Sequence, residues 1–302
     1  MKEVYLNQVR LLLRVLPVVA QESCFALKGG TAINFFIRDF PRLSVDIDLA
    51  YLPLEKREAS LNKISQGIHR IEKAVHRFVP NSQTEIVKGG GAESKLLIRT
   101  QNALIKIEVN TIIRGTVYPV DRRELSKKLQ NRFGQSATIQ TLSIEDLYAG
   151  KLCAALDRQH PRDLFDIMLL LQNEGLSQSI KTALIAYIIS HSRPINELLN
   201  PNTIRVDELY LKEFNGMTDT NTTLADLKEV QSILPNMILS ALTASDKEFI
   251  LSAKRMEPNW ELFPLSHIKD LPAVKWKLFN LKKMSPEKHK QALNRLEKIL
   301  SA

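Results

Sequence analysis

Two aspartates spaced two residues apart are the strongest candidates for chemistry in this sequence. Asp46 and Asp48 lie in SVDIDLA, residues 44–50, where polar and apolar residues alternate with the period of a β-strand. Both carboxylates therefore extend from one face of the strand, while Ile47 and Leu49 face the core. Two neighbouring carboxylates repel each other, so either the pKa of one of them is raised or a cation binds between them. Mg²⁺ commonly takes one or two carboxylates together with substrate phosphates. A pair of solvated acids at a strand end is the alternative.

A glycine turn precedes the aspartates. Gly29 and Gly30 follow a short apolar segment, and a helix is predicted to start near Thr31, whose hydroxyl suits an N-cap position. Glycine lets the main chain approach phosphate closely, and the Thr31 hydroxyl and the N–H groups of a helix start can hydrogen bond to phosphate oxygens. These residues favour a triphosphate site, with an ordinary tight turn and N-cap as the alternative.

Glu108 is a third candidate acid. In ALIKIEVN, residues 103–110, it shares a strand face with Lys106 and Asn110, and the opposite face is aliphatic. If this strand lies beside the one that carries the aspartates, three acids converge and can hold one or two divalent ions. The alternative is a cross-strand ion pair with a neighbour such as Arg99.

Further charged candidates lie on helical segments in the second half of the chain. Lys151 has leucines around it in the helical pattern, so its ammonium could equally remain in solvent while its stem covers apolar surface. Arg162 and Asp166 are four residues apart and could form an ordinary helical ion pair. For Asp163 and Asp166, the sequence supports a structural role and a functional role equally.

The elements around these candidates predict an α+β fold. Residues 2–15 and 54–79 have helical periodicity, and short strands are predicted at 84–88, 94–99, 104–110 and about 137–141. From Ser143 the sequence is helical to its end. We therefore expect a catalytic head at residues 1–142 and a helical C-terminal domain at residues 143–302.

Composition narrows the classes of protein. A length of 302 residues with 44% hydrophobic content allows two domains. The chain has no run of eighteen apolar residues and no cleavable leader, so we expect a cytoplasmic protein without a membrane partner. The formal charge of +9 favours a polyanionic partner such as nucleic acid. A lysine-rich tail at residues 275–298 could steer such a partner or an acidic protein, or could be a solvated helix face.

Four motifs in order resemble a known family. The segment LKGGTAINFFIRDFPRLSVDIDLA is similar to the glycine turn and paired aspartates of the AbiEii/AbiGii (MenT-like) nucleotidyltransferase toxins, which are part of the DNA polymerase beta superfamily. IKIEVN resembles their third acidic motif, with Glu108 where Asp is frequent. AGKLCAALDRQHPRDLFDIMLLL resembles their Lys motif and the Arg-Asp positions after it. The resemblance covers residues 24–172.

The resemblance implies a nucleotidyltransferase-type mixed sheet flanked by helices, with the helical domain completing the active site. It implies transfer of a nucleoside monophosphate from an NTP to an acceptor, expected to be the tRNA 3′ end, with Mg²⁺ or Mn²⁺ as cofactor. It also implies a toxin with a cognate antitoxin and a role in phage defence. The expected metal ligands are Asp46, Asp48 and Glu108, and the expected catalytic residues are these three with Lys151, Asp163 and Asp166. The expected nucleotide-binding residues are Lys28, Gly29, Gly30, Thr31, Ser44, Lys151 and Arg162.

Two alternatives remain open at this point. The same phosphate chemistry could transfer AMP or another nucleotide onto a protein side chain. A non-catalytic binding module with the same fold is the second alternative, although a protein that needs only its shape has no physical reason to keep three acids together. The identity of the NTP is also open.

Overall fold

The computed structural model describes residues 3–301 and divides the chain into two compact units. The first unit comprises Met1–Leu147 and Phe214–Asn221, and the second comprises Tyr148–Glu213 and Thr222–Ala302. The boundary thus falls at 147/148, inside a helix, rather than at the predicted 142/143. The segment Phe214–Asn221 belongs to the first unit, although the residues before and after it in the sequence belong to the second.

The first unit contains a mixed β-sheet. Its strands are β1 (Phe25–Lys28), β2 (Asp46–Tyr51), β3 (Gln83–Gly89), β4 (Ala92–Thr100), β5 (Ala103–Asn110), β6 (Asp121–Glu124) and β7 (Thr138–Thr141). Its helices are α1 (Glu3–Val19), α2 (Gly29–Ala32), α3 (Arg57–Phe78) and α4 (Lys127–Phe133). The strand order is β3-β4-β5-β2-β1-β7-β6, in which β2 is parallel to β5 and antiparallel to β1. The predicted mixed sheet flanked by helices is confirmed.

The alternation of residues along β2 and β5 gives this sheet one apolar and one polar face. Ile47, Leu49, Ile105 and Ile107 are almost completely buried on one face. Helix α1 contacts β5 and helix α3 contacts β4, so the periodic apolar residues of these helices face the sheet. The acidic residues therefore lie on the opposite face.

The glycine turn differs from its prediction. Helix α2 begins at Gly29 rather than near Thr31, and the N-cap is Lys28, which makes no side-chain capping bond. Gly29 has a φ of +71°, a left-handed conformation that glycine adopts without steric cost. Thr31 is a buried residue within α2, so its hydroxyl does not cap the helix and contacts other groups. A short π-helical turn, Ile33–Ile37, follows α2.

The second unit is helical, as predicted. Its helices are α5 (Ile144–Asp157, which starts in the first unit), α6 (Pro161–Asn173), α7 (Gln178–Ser190), α8 (Ile195–Leu199), α9 (Asp207–Glu213), α10 (Leu224–Ala241), α11 (Ala244–Lys254), α12 (Pro272–Lys282) and α13 (Pro286–Ser301). Capping boxes at Thr223 and Thr243 start α10 and α11. Among residues 3–301, no helix combines the length and the apolar character needed to cross a bilayer.

Candidate active site

The two aspartates lie on the central strand of the first unit. Asp46 and Asp48 are half-buried on the polar face of β2, while Ile47 and Leu49 are inaccessible on the other face. Within the sheet, Asp48 is the Cα partner of Lys28 on β1 and of Glu108 on β5. Strand pairing therefore brings together four of the predicted site residues.

The glycine turn lies against the same carboxylate. A Cβ atom added to Gly29 would stand 2.7 Å from Oδ2 of Asp48, and one added to Gly30 would stand 2.8 Å from Nη2 of Arg42 and 3.0 Å from Oγ of Ser44. All three distances are shorter than ordinary van der Waals contact. Glycine at these positions therefore lets the turn approach the charged side chains.

Thr31 and Ser44 connect this turn to the start of β2. Thr31 is 1% exposed, and its Oγ1 lies 2.9 Å from Oγ of Ser44 and donates to the main-chain oxygen of Asp46. These contacts fix the distance between α2 and the first aspartate. The hydroxyl is thus engaged inside the unit, and its role as a phosphate donor stays a prediction.

Arg42 is a charged residue of this region that the sequence did not single out. It is 2% exposed, and its Nη1 donates to the main-chain oxygen of Leu43 at 2.8 Å. The loop around it is joined to the 214–221 segment, because Leu43 N donates to Met217 O at 2.8 Å and Thr218 Oγ1 donates to Pro41 O at 2.7 Å. An arginine in an irregular loop has no periodicity, so only its closeness to the aspartates could have drawn attention.

Glu108 lies beside the aspartates, but two lysines engage it. Its Oε1 is 3.0 Å from Nζ of Lys95 and its Oε2 is 2.9 Å from Nζ of Lys106. Partial burial raises the pKa of Glu108, yet the hydrogen bonds from Lys106 and Lys95 outweigh it and lower the pKa overall. The ion pair expected as the alternative thus exists, although Arg99 is opposite Leu104 and takes no part in it.

The three acids do not form a ready-made metal cage. Within residues 3–301, no three acidic, histidine or cysteine side chains are grouped in a way that could hold a metal ion. Asp46 and Asp48 nevertheless offer carboxylate oxygens from one strand face, a donor set that suits Mg²⁺ when substrate phosphates supply further oxygens. The two aspartates therefore fit one divalent ion. Lys95 and Lys106 compete with any metal ion for Glu108, the third predicted ligand.

The second unit contains its own charged cluster, formed by residues of α5, of α6 and of the turn between them. Lys151 is 6% exposed, and its Nζ lies 2.8 Å from Oδ1 of Asp163 and 3.1 Å from Oδ2 of Asp166. Arg158 donates to both oxygens of Asp163, at 2.6 and 3.1 Å. Burial raises the pKa of Asp163, but the charges of Lys151 and Arg158 reverse this and hold it well below its usual value. The alternative of a solvated surface lysine is therefore wrong.

Arg162 lies apart from that cluster. Its Nη2 is 3.4 Å from Oε2 of Glu213, which also lies 3.0 Å from Nε2 of His160. Nδ1 of His160 accepts a hydrogen bond from the main-chain N of Arg162 and so caps α6. Arg162 thus has a structural partner other than the Asp166 considered from the sequence, and its nucleotide-binding role stays a prediction.

Comparison with known proteins shows which family uses these motifs. The model of the nucleotidyl transferase AbiEii toxins, from type IV toxin–antitoxin systems, matches residues 10–278. The chain belongs to the AbiEii family. It is accordingly a nucleotidyltransferase toxin with an NTP as substrate and an antitoxin as partner. The family predicted from the four motifs is confirmed.

A solved structure of the same kind supports the fold. The MenT4 nucleotidyltransferase toxin of Mycobacterium tuberculosis H37Rv superposes with a TM-score of 0.58 over 91% of this chain and 92% of that chain. The sequences are 14% identical, so the likeness concerns the fold alone. No curated protein sequence matches the chain.

Proposed function

We propose that this AbiEii toxin transfers a nucleoside monophosphate from an NTP to the 3′ end of tRNA, with Mg²⁺ as the divalent ion. In this reaction an acceptor hydroxyl oxygen forms a bond to the α-phosphorus while the bond from that phosphorus to the β-phosphate oxygen breaks. The hydroxyl proton is lost and pyrophosphate leaves. Asp46 and Asp48 carry the proposal, because they extend from one strand face directly beside a glycine turn.

The residues of the first unit have distinct roles in this proposal. Asp46 and Asp48 hold the divalent ion, which when bound neutralises phosphate charge and stabilises the departing pyrophosphate. Gly29 and Gly30 leave room for phosphate beside the carboxylates, since any side chain there would meet Asp48 or Arg42. Lys28, the Cα partner of Asp48, adds a positive charge at the same level of the sheet.

The choice of tRNA rests on charge and on the family. A net charge of +9 favours a polyanionic acceptor over a protein side chain, because cationic surfaces attract nucleic acid and release its counterions. The roles that the family motifs imply for Lys151, Asp163 and Asp166 stay predictions, since the buried ion pairs among these three residues are structural contacts within the second unit. A reaction on NTP and tRNA takes place in the cytoplasm, and we extend the proposal to defence against phage.

Labelled nucleotides test the proposal directly. The purified protein is incubated with Mg²⁺, total tRNA and each of the α-labelled NTPs in turn, and products are separated on denaturing gels. We expect label in tRNA with one or more NTPs. Asp46→Asn and Asp48→Asn, which keep side-chain shape and remove charge, should abolish it. Asp121→Asn, which removes an acid on β6 that pairs with Arg123, is the matched control and should keep full labelling.

The other outcomes are equally informative. Label that appears on protein and not on RNA would replace the tRNA proposal with nucleotide transfer to a side chain. Labelling that persists in both aspartate variants would show that the reaction does not need the proposed metal site. Mass spectrometry of the labelled tRNA end identifies the nucleotide that was added.

A further inference from the structure

We propose that Lys95 and Lys106 take the place of a second divalent ion by neutralising Glu108, so that this active site holds a single divalent cation on Asp46 and Asp48. The inference rests on the proposed function and specifies its metal requirement. It assigns to two lysines a role that the sequence motifs alone do not give them.

Both oxygens of Glu108 are occupied, one by each lysine. Nζ of Lys95 lies 3.0 Å from Oε1 and Nζ of Lys106 lies 2.9 Å from Oε2. Such charge-assisted bonds are roughly twice as strong as neutral ones. A divalent ion at either oxygen would have to share that oxygen with an ammonium group, whose positive charge repels it.

The sheet holds these lysines in place. Lys95 on β4 is the direct antiparallel partner of Glu108, and Lys106 precedes Glu108 by two residues and shares its strand face. The Cβ atoms of direct partners on one face lie about 4.5–5.5 Å apart, which is within the reach of a lysine side chain. Strand register therefore places both lysines within reach of Glu108.

The charges of the polar face favour one divalent ion. The ammonium groups of Lys95 and Lys106, which both contact Glu108, together carry the same charge as one divalent ion, and Lys28, the Cα partner of Asp48, adds a further positive charge. Lys106 is the Cα partner of Asp46 on the neighbouring strand. A second divalent ion at Glu108 would therefore add to the positive charge that already lies beside that carboxylate.

Counting bound Mn²⁺ tests this inference. The full chain, without nucleotide, is titrated with Mn²⁺ alone, and the electron paramagnetic resonance signal of the free ion gives the number bound. Wild type should bind one ion. The double variant Lys95→Met, Lys106→Met frees Glu108 and should bind two, and adding Glu108→Gln to that variant should return the count to one. Asp46→Asn should weaken the single ion by at least about tenfold.

Controls keep the result interpretable. Lys95 and Lys106 are each 35% exposed, so methionine, which keeps much of the aliphatic stem, should be tolerated; circular dichroism and thermal unfolding verify the fold. Lys88→Met removes an exposed lysine of β3 and should leave the count at one.

The outcomes separate this inference from the proposed function. Two ions in wild type that fall to one in Glu108→Gln, or a double variant that still binds one, overturn the inference while tRNA labelling stands. A count of zero in every variant overturns both the inference and the metal site of the proposed function. Loss of tRNA labelling with a count of one, two and one across the series would leave the inference intact and reject the acceptor.

Discussion

Gly29→Ala is the substitution whose effect follows most directly from the structure. The backbone at Gly29 has a φ of +71°, and a new Cβ would stand 2.7 Å from Oδ2 of Asp48. A non-glycine residue in this left-handed conformation costs about 1–2 kcal/mol of unfolding free energy. The contact is too short to persist, so the Asp48 carboxylate must also shift by several tenths of an ångström or more.

The activity loss should exceed the stability loss. A displacement of about 1 Å at a reacting centre can reduce turnover on the order of 100-fold. We therefore expect Gly29→Ala to lower the rate of nucleotide transfer by about 10- to 100-fold at temperatures where the variant remains folded. Initial rates of label incorporation into tRNA, measured alongside urea unfolding, give both quantities.

Gly134→Ala is the matched control. Gly134 ends α4 with a φ of +62°, and an added Cβ would meet nothing within 4 Å. This variant should lose a similar 1–2 kcal/mol of unfolding free energy through backbone strain and keep its activity. Equal activity of the two variants would refute the reasoning, because Gly29 would then be a turn residue with no influence on Asp48.

Three further outcomes are expected. Lys151→Met should lower the unfolding free energy, measured by urea unfolding, by about 3–5 kcal/mol, because Asp163 and Asp166 remain buried without their shared ammonium group. Lys212 is exposed, so the control Lys212→Met should change the unfolding free energy by less than about 0.5 kcal/mol. Thr31→Val should cost about 1–3 kcal/mol in the same assay, because it leaves the Asp46 carbonyl oxygen without its buried donor; a neutral effect would show that water replaces the hydroxyl. Burial lowers the pKa of His160 despite the opposing bond to Glu213, so the folded state resists its protonation and stability should fall as the pH drops below about 6.5. His160→Asn, which can cap α6 without titrating, should reduce that fall between pH 7 and 5, and unfolding curves of equal pH dependence would contradict this.

The sequence predicted the local elements of the site well, because their signals are local. Alternation over residues 44–50 placed Asp46 and Asp48 on one strand face, and β2 has that arrangement. The second half of the chain was predicted to be helical from Ser143 onward, and helices α5 to α13 lie there. Motif order identified the family, which the match to residues 10–278 confirms.

The errors arose where partners are distant in sequence. Thr31 is suited to an N-cap by type, yet its hydroxyl contacts Ser44 and the main chain of Asp46, thirteen and fifteen residues away. Lys151 has the spacing of a surface lysine until α6 brings Asp163 and Asp166 to it. Periodicity shows which face of a helix or strand is apolar. It does not show which polar groups of other elements its own polar side chains will contact.

Strand register has the largest functional consequence of these distant relations. The D-x-D of β2 and the K-x-E of β5 run in parallel, so Asp46 is paired with Lys106 and Asp48 with Glu108. A shift of one residue would turn one strand's charges into the core and is excluded by the aliphatic faces, but a shift of two would keep every face correct. In one direction it would pair Glu108 with Asp46, and in the other it would pair Lys106 with Asp48. Hydrophobic pattern and composition are the same in all three arrangements, whereas the distribution of charge beside the proposed metal ligands differs in each. In the proposal of a single divalent ion, the number of ions is therefore set by strand register, a property that only the folded sheet defines.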